Sequence, residues 1–143
     1  MRFSLLFLAL TMSHFANAQT FDSSKIRFDG FYQTKGDIDK QDNDTTYSYL
    51  RFYPDGKVLS VTSEGTALDL KDWFNLKQNN PSIGSYDYKS KGRKIYFSTT
   101  SREGSVIYHG KVKYNYLLLK FKSLINGRTG REKYYFIKVD DLK

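Results

Sequence analysis

Apolar and polar residues alternate with a period of two along most of this chain. The clearest example is residues 47–63, where two alternating runs flank the sequence Pro-Asp-Gly at positions 54–56. Proline fixes φ at an early turn position, aspartate bonds to nearby backbone, and glycine accepts a positive φ. Because a period of two is typical of strands with one buried face, this segment predicts a β-hairpin.

The first strand of the hairpin has two chemically different faces. Leu50 and Phe52 share one face, which is predicted to point into the core. Tyr49, Arg51 and Tyr53 share the other face, which is predicted to point outward. We therefore expect these three side chains to meet solvent or a partner.

The alternation continues on both sides of the hairpin. One further strand is predicted before it, at residues 29–34, and five follow it, at residues 83–89, 94–99, 105–114, 116–124 and 132–139. Short turn-type connections separate these last five strands, as sequential antiparallel pairing requires. In residues 132–139 the inner face stays open, because two sets qualify: Tyr134 with Phe136, and Tyr135 with Ile137 and Val139.

Residues 67–76 break this alternation. Their apolar positions are scattered at a spacing that fits one or two helical turns better than a strand, which predicts one short helix near residues 67–76. The chain as a whole is therefore predicted to be all-β. Its antiparallel up-and-down meander of about eight strands closes best into a barrel or a two-layer sandwich.

The predicted strands define candidate residues on each face. If the interior holds a ligand, the candidate lining residues are those with inward positions: Leu50, Phe52, Val106, Tyr108, Val112, Leu117, Leu119 and Phe121. Gly110 shares this inner face, where a glycine leaves space or marks a bend. The outer face of the same strands carries Lys111, Lys113, Lys120 and Lys122.

The N-terminus predicts export. A short positive start precedes an apolar run at residues 3–12, and Ala-Asn-Ala at positions 16–18 fits signal peptidase cleavage after Ala18. The predicted organisation is a signal peptide at residues 1–18, a leader at residues 19–27 and one domain at residues 28–143. We expect a periplasmic or secreted protein without a transmembrane segment, because no later apolar run reaches the roughly 20 residues that a spanning helix needs.

Composition narrows the source and the partners. The chain has no cysteine, whereas small secreted animal proteins usually depend on disulfides, which favours a bacterial origin. Residues 73–143 contain 15 lysines and arginines against 5 acidic residues. This basic half can attract an acidic polymer, or it can simply be a set of solvated lysines on outward strand faces. Nucleic acid is not an expected partner of an exported protein.

The sequence nominates no catalytic residue, metal site or cofactor, and we do not expect an enzyme. His109 is the single histidine left after cleavage, cysteine is absent, and no G-x-S-x-G motif occurs. Four aspartates at positions 37, 39, 42 and 44 lack the order of a calcium-binding EF-hand loop. We interpret that segment as a solvated hairpin loop.

Several motifs together resemble the lipocalin-like, or calycin-like, families of small exported bacterial proteins. They are Gly-Phe-Tyr at residues 30–32, the hairpin at residues 49–58, Trp-Phe at residues 73–74, and the later strands at residues 106–113 and 117–123 with Ile-Asn-Gly at 125–127. The similarity extends over about residues 28–139. Classical lipocalins carry a tryptophan two residues after the first-strand glycine, where this chain has Tyr32, and their disulfide is missing.

The resemblance implies a small antiparallel barrel whose interior or open end could hold a small apolar ligand. A barrel filled by its own side chains is the alternative. Two functional hypotheses follow. The first is a binding module for a small hydrophobic molecule or an envelope component. The second is an interaction protein whose basic, tyrosine-rich outer face binds an anionic polymer or a protein partner.

Overall fold

The computed structural model describes residues 25–143. The predicted signal peptide and most of the predicted leader therefore lie outside the described residues. Between residues 25 and 143, no helix combines the length and the apolar character needed to cross a membrane.

The described chain folds into an antiparallel barrel. Its strands are β1 (Gly30–Gln33), β2 (Asp37–Ile38), β3 (Thr45–Phe52), β4 (Lys57–Ser63), β5 (Ser82–Lys89), β6 (Lys94–Ser101), β7 (Gly104–Val112), β8 (Tyr116–Ser123) and β9 (Thr129–Lys138). Each strand from β3 to β8 pairs with the next strand along the chain, and β1 pairs with both β9 and β3. Eight strands thus close into a ring, which confirms the predicted all-β meander and its barrel form.

The structure confirms one short helix and contains one strand that the sequence pattern does not predict. The short helix α1 (Ala67–Leu70) is a single turn, started by a capping box in which Thr66 and Asp69 bond each other's backbone. The two-residue strand β2 pairs with the start of β3 and was not predicted. Polar side chains dominate this segment, so its pairing leaves no period-two apolar pattern.

The barrel interior is a continuous apolar cluster. Leu50, Phe52, Val112, Leu117 and Leu119 are each no more than 1% exposed. The ring of Phe52 lies 5.6 Å from Tyr32, 5.1 Å from Tyr86 and 5.4 Å from Phe97 between centroids, in edge-to-face geometry. Such contacts fill the space that a ligand would otherwise take.

The last strand resolves the alternative that its sequence left open. Tyr134 and Phe136 point into the barrel, where Tyr134 is 3% exposed. Tyr135 and Ile137 take the outer positions. Val139 lies past the end of β9 and packs in a separate cluster on the outside of the barrel.

That second cluster corrects the prediction for the first hairpin strand. Tyr49, Arg51 and Tyr53 do leave the barrel interior, but Tyr49 is fully buried and Arg51 is 5% exposed. The segment beginning at α1 and the C-terminal residues cover the outer face of β1, β3 and β4 and bury Phe31, Leu59, Leu70 and Phe74 with them. The alternation was correctly predicted, whereas the solvent exposure was wrong because a second layer covers this part of the wall.

Arg51 links the covering layer to the barrel wall. Its guanidinium donates to the carbonyl oxygens of Phe74, at 2.7 Å, and Lys143, at 2.8 Å. The same group lies 4.9 Å from the centroid of the Tyr53 ring. Burial lowers the pKa of the Arg51 guanidinium; its two terminal nitrogens have carbonyl partners, and its Nε is buried without a hydrogen-bond partner.

Gly110 marks a close approach between strands and leaves no space inside the barrel. A Cβ atom at this position would collide with the carbonyl oxygen of Leu118 on β8. Gly84 on β5 is in the same situation against the carbonyl oxygen of Ser98. Glycine at these two positions lets neighbouring strands come together where the wall curves.

The covering layer predicts a large difference between two leucines of the same helical turn. Leu70 is fully buried and Leu68 is 72% exposed. We expect Leu70→Ala to lower the free energy of unfolding by about 2–5 kcal/mol, because it opens a cavity in the outer cluster. Leu68→Ala is the matched control and should change it by no more than about 0.5 kcal/mol. Urea denaturation measures the free energy of unfolding of both variants. Equal losses would contradict the burial of Leu70 under the covering layer.

Candidate functional site

The inward side chains change character from one end of the barrel to the other. The end that carries the turn at residues 54–56 is filled by aromatic and aliphatic groups. Ile26 closes this end from the N-terminal side, and Arg27 stacks 3.8 Å above the ring of Phe136. We call it the filled end. The opposite end, beside the connections at residues 64–81 and 124–128, is the open end.

Hydroxyl groups replace apolar groups towards the open end on several strands. On β3 the inward residue Leu50 is followed towards the open end by Ser48, and on β4 Val58 is followed by Ser60 and Thr62. In the same direction, Phe97 is followed by Thr99 on β6, and Phe121 by Ser123 on β8. The sequence contains this gradient, but it becomes visible only when the strands are aligned in register. The pattern within a single strand therefore does not identify Ser48, Ser60, Thr62 and Thr99 as neighbours.

These hydroxyls form two hydrogen-bonded groups beside Tyr108, Ser48 with Thr62 and Ser60 with Thr99 and Ser82, and together we call them the hydroxyl network. Ser60 Oγ lies 2.8 Å from Thr99 Oγ1 and donates to Ser82 Oγ at 3.1 Å. Burial raises the pKa of Tyr108, and its hydrogen bonds with Thr99, Tyr134 and Ser60 offset part of that rise. Burial also raises the pKa of Tyr134 well above its ordinary value. Both phenols are therefore neutral near pH 7 and can donate as well as accept hydrogen bonds.

Two adjoining concavities form the mouth of the open end. Their volumes are about 400 Å³ and 460 Å³, and they share Ser48, Thr62, Val106, Tyr108 and Tyr134. The mouth is therefore a single branched depression whose floor is the hydroxyl network. We call it the hydroxyl mouth.

The predicted interior residues divide between the filled barrel and the mouth. Val106, Tyr108 and Phe121 line the mouth, and Leu50 lies at its inner edge. Phe52, Val112, Leu117 and Leu119 lie in the packed cluster. All eight belong to the interior as expected, and their contact with a ligand stays a prediction.

The outside of β5 to β9 carries a dense set of cations, which we call the basic face. Two rows of directly opposed residues cross these five strands. One row is Lys89, Lys94, Lys111, Leu118 and Lys133, and the next is Asp87, Tyr96, His109, Lys120 and Arg131. Between them runs a groove of about 690 Å³.

The basic face includes the four lysines predicted from the sequence. Lys111, Lys113 and Lys120 line the groove, and Lys122 lines an adjoining depression of about 520 Å³. Strand register adds Lys89, Lys94, Lys133 and Arg131, which lie far from them in sequence. These residues share one surface because of the strand register, that is, which residue lies opposite which on the neighbouring strand. A period-two pattern does not specify the register.

Opposed cations make this arrangement costly. Like charges directly across a strand pair destabilise a sheet, and here Lys94 opposes both Lys89 and Lys111, while Lys120 opposes Arg131. The salt bridges between described residues lie elsewhere, at Arg27, Lys57, Lys71, Lys138 and Lys143.

The aspartates at positions 37, 39, 42 and 44 do not come together as a group of metal ligands in the described part of the chain. Across residues 25–143, no group of three or more histidine, cysteine or acidic side chains comes together as a metal site would require. Asp39 instead accepts a hydrogen bond from the Gln41 backbone at 2.8 Å and so shapes the loop between β2 and β3.

Comparisons with protein-family models, with curated proteins and with solved structures each found no match to this chain. The lipocalin-like resemblance is supported at the level of the closed eight-stranded barrel. Architecture does not determine function. Function is therefore inferred from the hydroxyl mouth and the basic face.

Buried phenols predict a loss of stability in alkali. Burial raises the pKa of Tyr32 and Tyr49 to about 12 and raises that of Tyr108 and Tyr134 as well. A tyrosine whose pKa is raised in the folded state makes its full contribution to the free energy of unfolding at pH values below its pKa in the unfolded chain, which is near 10. We therefore expect the free energy of unfolding to be maintained up to about pH 10 and to fall from there towards pH 12.

The variant Tyr134→Phe tests this assignment. Removing one buried phenol should reduce the alkaline slope by up to about 1.4 kcal/mol per pH unit. Urea denaturation between pH 8 and pH 12 (about two units on either side of the ordinary tyrosine pKa) measures the slope. A slope identical to that of the unmodified protein would contradict the buried, neutral state of Tyr134.

Proposed function

We propose that this protein is an exported, non-enzymatic binding module that holds an acidic polysaccharide of the cell envelope on its basic face. The carrying observation is the register of that face, which places lysines and an arginine directly opposite one another. A protein that keeps mutually repelling charges aligned in a groove gains from them when an anion neutralises them. The fold thus bears a cost in stability that binding recovers.

The shape of the basic face supports a linear ligand. Each row crosses five strands, and strands lie about 4.8 Å apart, so a row extends over roughly 20 Å. Tyr96 and Leu118 interrupt the cations with surfaces that can contact a sugar ring. A single compact anion would engage only part of a row, whereas an extended chain with regularly spaced carboxylates or sulfates can engage all of it.

The packed interior weighs against a large hydrophobic ligand. Phe52, Leu117 and Leu119 fill the space between the barrel walls, and the remaining concavity at the open end is lined largely by hydroxyls. A fatty acid or similar molecule would have to displace well-packed side chains, and overpacking is destabilising. The hydrophobic-ligand hypothesis stays a prediction and is the less favoured of the two.

Retention on immobilised heparin, a linear acidic polysaccharide, tests the proposal. The protein should bind at low salt and elute as sodium chloride rises, because binding releases counterions. The variant carrying Lys94→Gln, Lys111→Gln, Lys120→Gln and Arg131→Gln should elute at much lower salt. In a plot of log affinity against log salt, each lost contact should flatten the slope by about one.

A second variant with the same net charge is the control. Lys57, Lys77, Lys138 and Lys143, all outside the basic face, are changed to glutamine together. This protein should elute nearly as the unmodified one does. Equal losses in both variants would show that net charge alone drives retention. Stronger binding to a single-stranded oligonucleotide than to heparin would contradict the polysaccharide assignment.

A further inference from the structure

The hydroxyl mouth has the chemistry of a site for a small polar molecule, and the basic face does not account for it. Ser48 and Thr62 lie side by side with 3.4 Å between their hydroxyl oxygens. The floor behind them holds Ser60, Tyr108 and Tyr134, and the Ser60 hydroxyl lies 2.8 Å from that of Thr99 and 3.1 Å from that of Ser82. Each hydroxyl donates once and accepts through two lone pairs, so a network satisfied internally still offers acceptors to a ligand.

The outer side of the mouth adds planar amides and an indole. Gln78, Asn79 and Asn80 line it beside Trp73, which is 43% exposed. Side-chain amides offer a donor and an acceptor in one plane, which matches the vicinal hydroxyls of a sugar. An exposed indole offers a flat apolar surface with one N–H donor, which suits the C–H face of a sugar ring.

The charges around the mouth nearly cancel. Lys35 and Arg128 line it together with Asp37, Glu103 and Glu132. A rim of mixed sign creates no strong field and favours a neutral ligand, in contrast to the single-sign rows of the basic face. The two lobes, about 400 Å³ and 460 Å³, lie within the range of small-molecule pockets.

We infer that the hydroxyl mouth binds a small, neutral, polyhydroxylated molecule, namely a saccharide of one or two rings. The hydroxyl floor forms hydrogen bonds with its equatorial and ring oxygens, the amides orient its outer edge, and Trp73 covers one ring face. This site is on the inside of the barrel wall at the open end. It is separate from the polysaccharide site proposed on the outside, and either can exist without the other.

Trp73 makes the test direct. It is the single tryptophan of the chain, so fluorescence excited selectively at tryptophan reports on this one side chain, which borders both the mouth and a neighbouring depression of about 740 Å³. The protein is titrated with glucose, N-acetylglucosamine, maltose and cellobiose, and isothermal calorimetry repeats any titration that gives a signal. At least one of these sugars should produce a saturable fluorescence change with a matching calorimetric isotherm.

Two threonine variants locate the site. Thr62 lines both lobes at the solvent side, so Thr62→Val should fold normally and weaken sugar binding by about three- to tenfold, as expected for the loss of one hydrogen bond. Thr100 lies on the outer face of β6, and Thr100→Val is the matched control that should leave the affinity unchanged. Equal weakening in both variants would overturn the assignment.

Three further outcomes decide the proposal. A flat titration with all four sugars would overturn it. Saturable binding of a fatty acid that displaces the sugar response would overturn it in favour of an apolar ligand. Persistence of the sugar response in the quadruple basic-face variant would support it, because that variant removes polysaccharide binding without touching the mouth.

Discussion

Ring closure is the constraint on which the rest of this structure depends. All four residues of β1 pair with β9, and two of them, Tyr32 and Gln33, also pair with Leu50 and Tyr49 of β3; without β1 the sheet would be open. Closure removes the free edges that would otherwise template aggregation. It also separates an inside from an outside, so each alternating strand contributes to two chemically distinct surfaces. The short β1 therefore has a structural importance out of proportion to its length.

The outer face of the barrel is covered by other residues on one side and exposed on the other. On β1, β3 and β4 the outer face is buried by the α1 segment and the C-terminal residues, which Arg51 holds through two backbone carbonyls. On β5 to β9 the outer face is bare and cationic. A small protein thereby obtains two layers where it needs stability and a single exposed layer where charge is concentrated.

Local pattern predicted the strands well because period two is a local property. The inward positions of Leu50 and Phe52 on β3, and of Val106, Tyr108 and Val112 on β7, follow from the alternation and are confirmed. The burial of Tyr49 and Arg51 could not be predicted in this way, since it depends on a segment about twenty residues away that packs across the strand.

The rows of the basic face could not be predicted from the sequence for a related reason. Lys89 and Lys133 stand at the two ends of one row, and only the register of four successive strand pairings places them in it. The choice of Tyr134 over Tyr135 as the inward residue likewise follows from pairing with Leu117.

If the basic face holds a polyanion, as proposed, binding and folding stability are coupled through the opposed lysines. Any species that lowers their mutual repulsion stabilises the native state, and a bound polyanion does so by mass action because the unfolded chain presents no such alignment. Simple salt relieves the same repulsion while competing with the polyanion for the groove. Ionic strength thus moves stability and affinity in opposite directions. Under the proposed function, the salt conditions that most stabilise the unliganded barrel are those in which its basic face binds a polyanion most weakly.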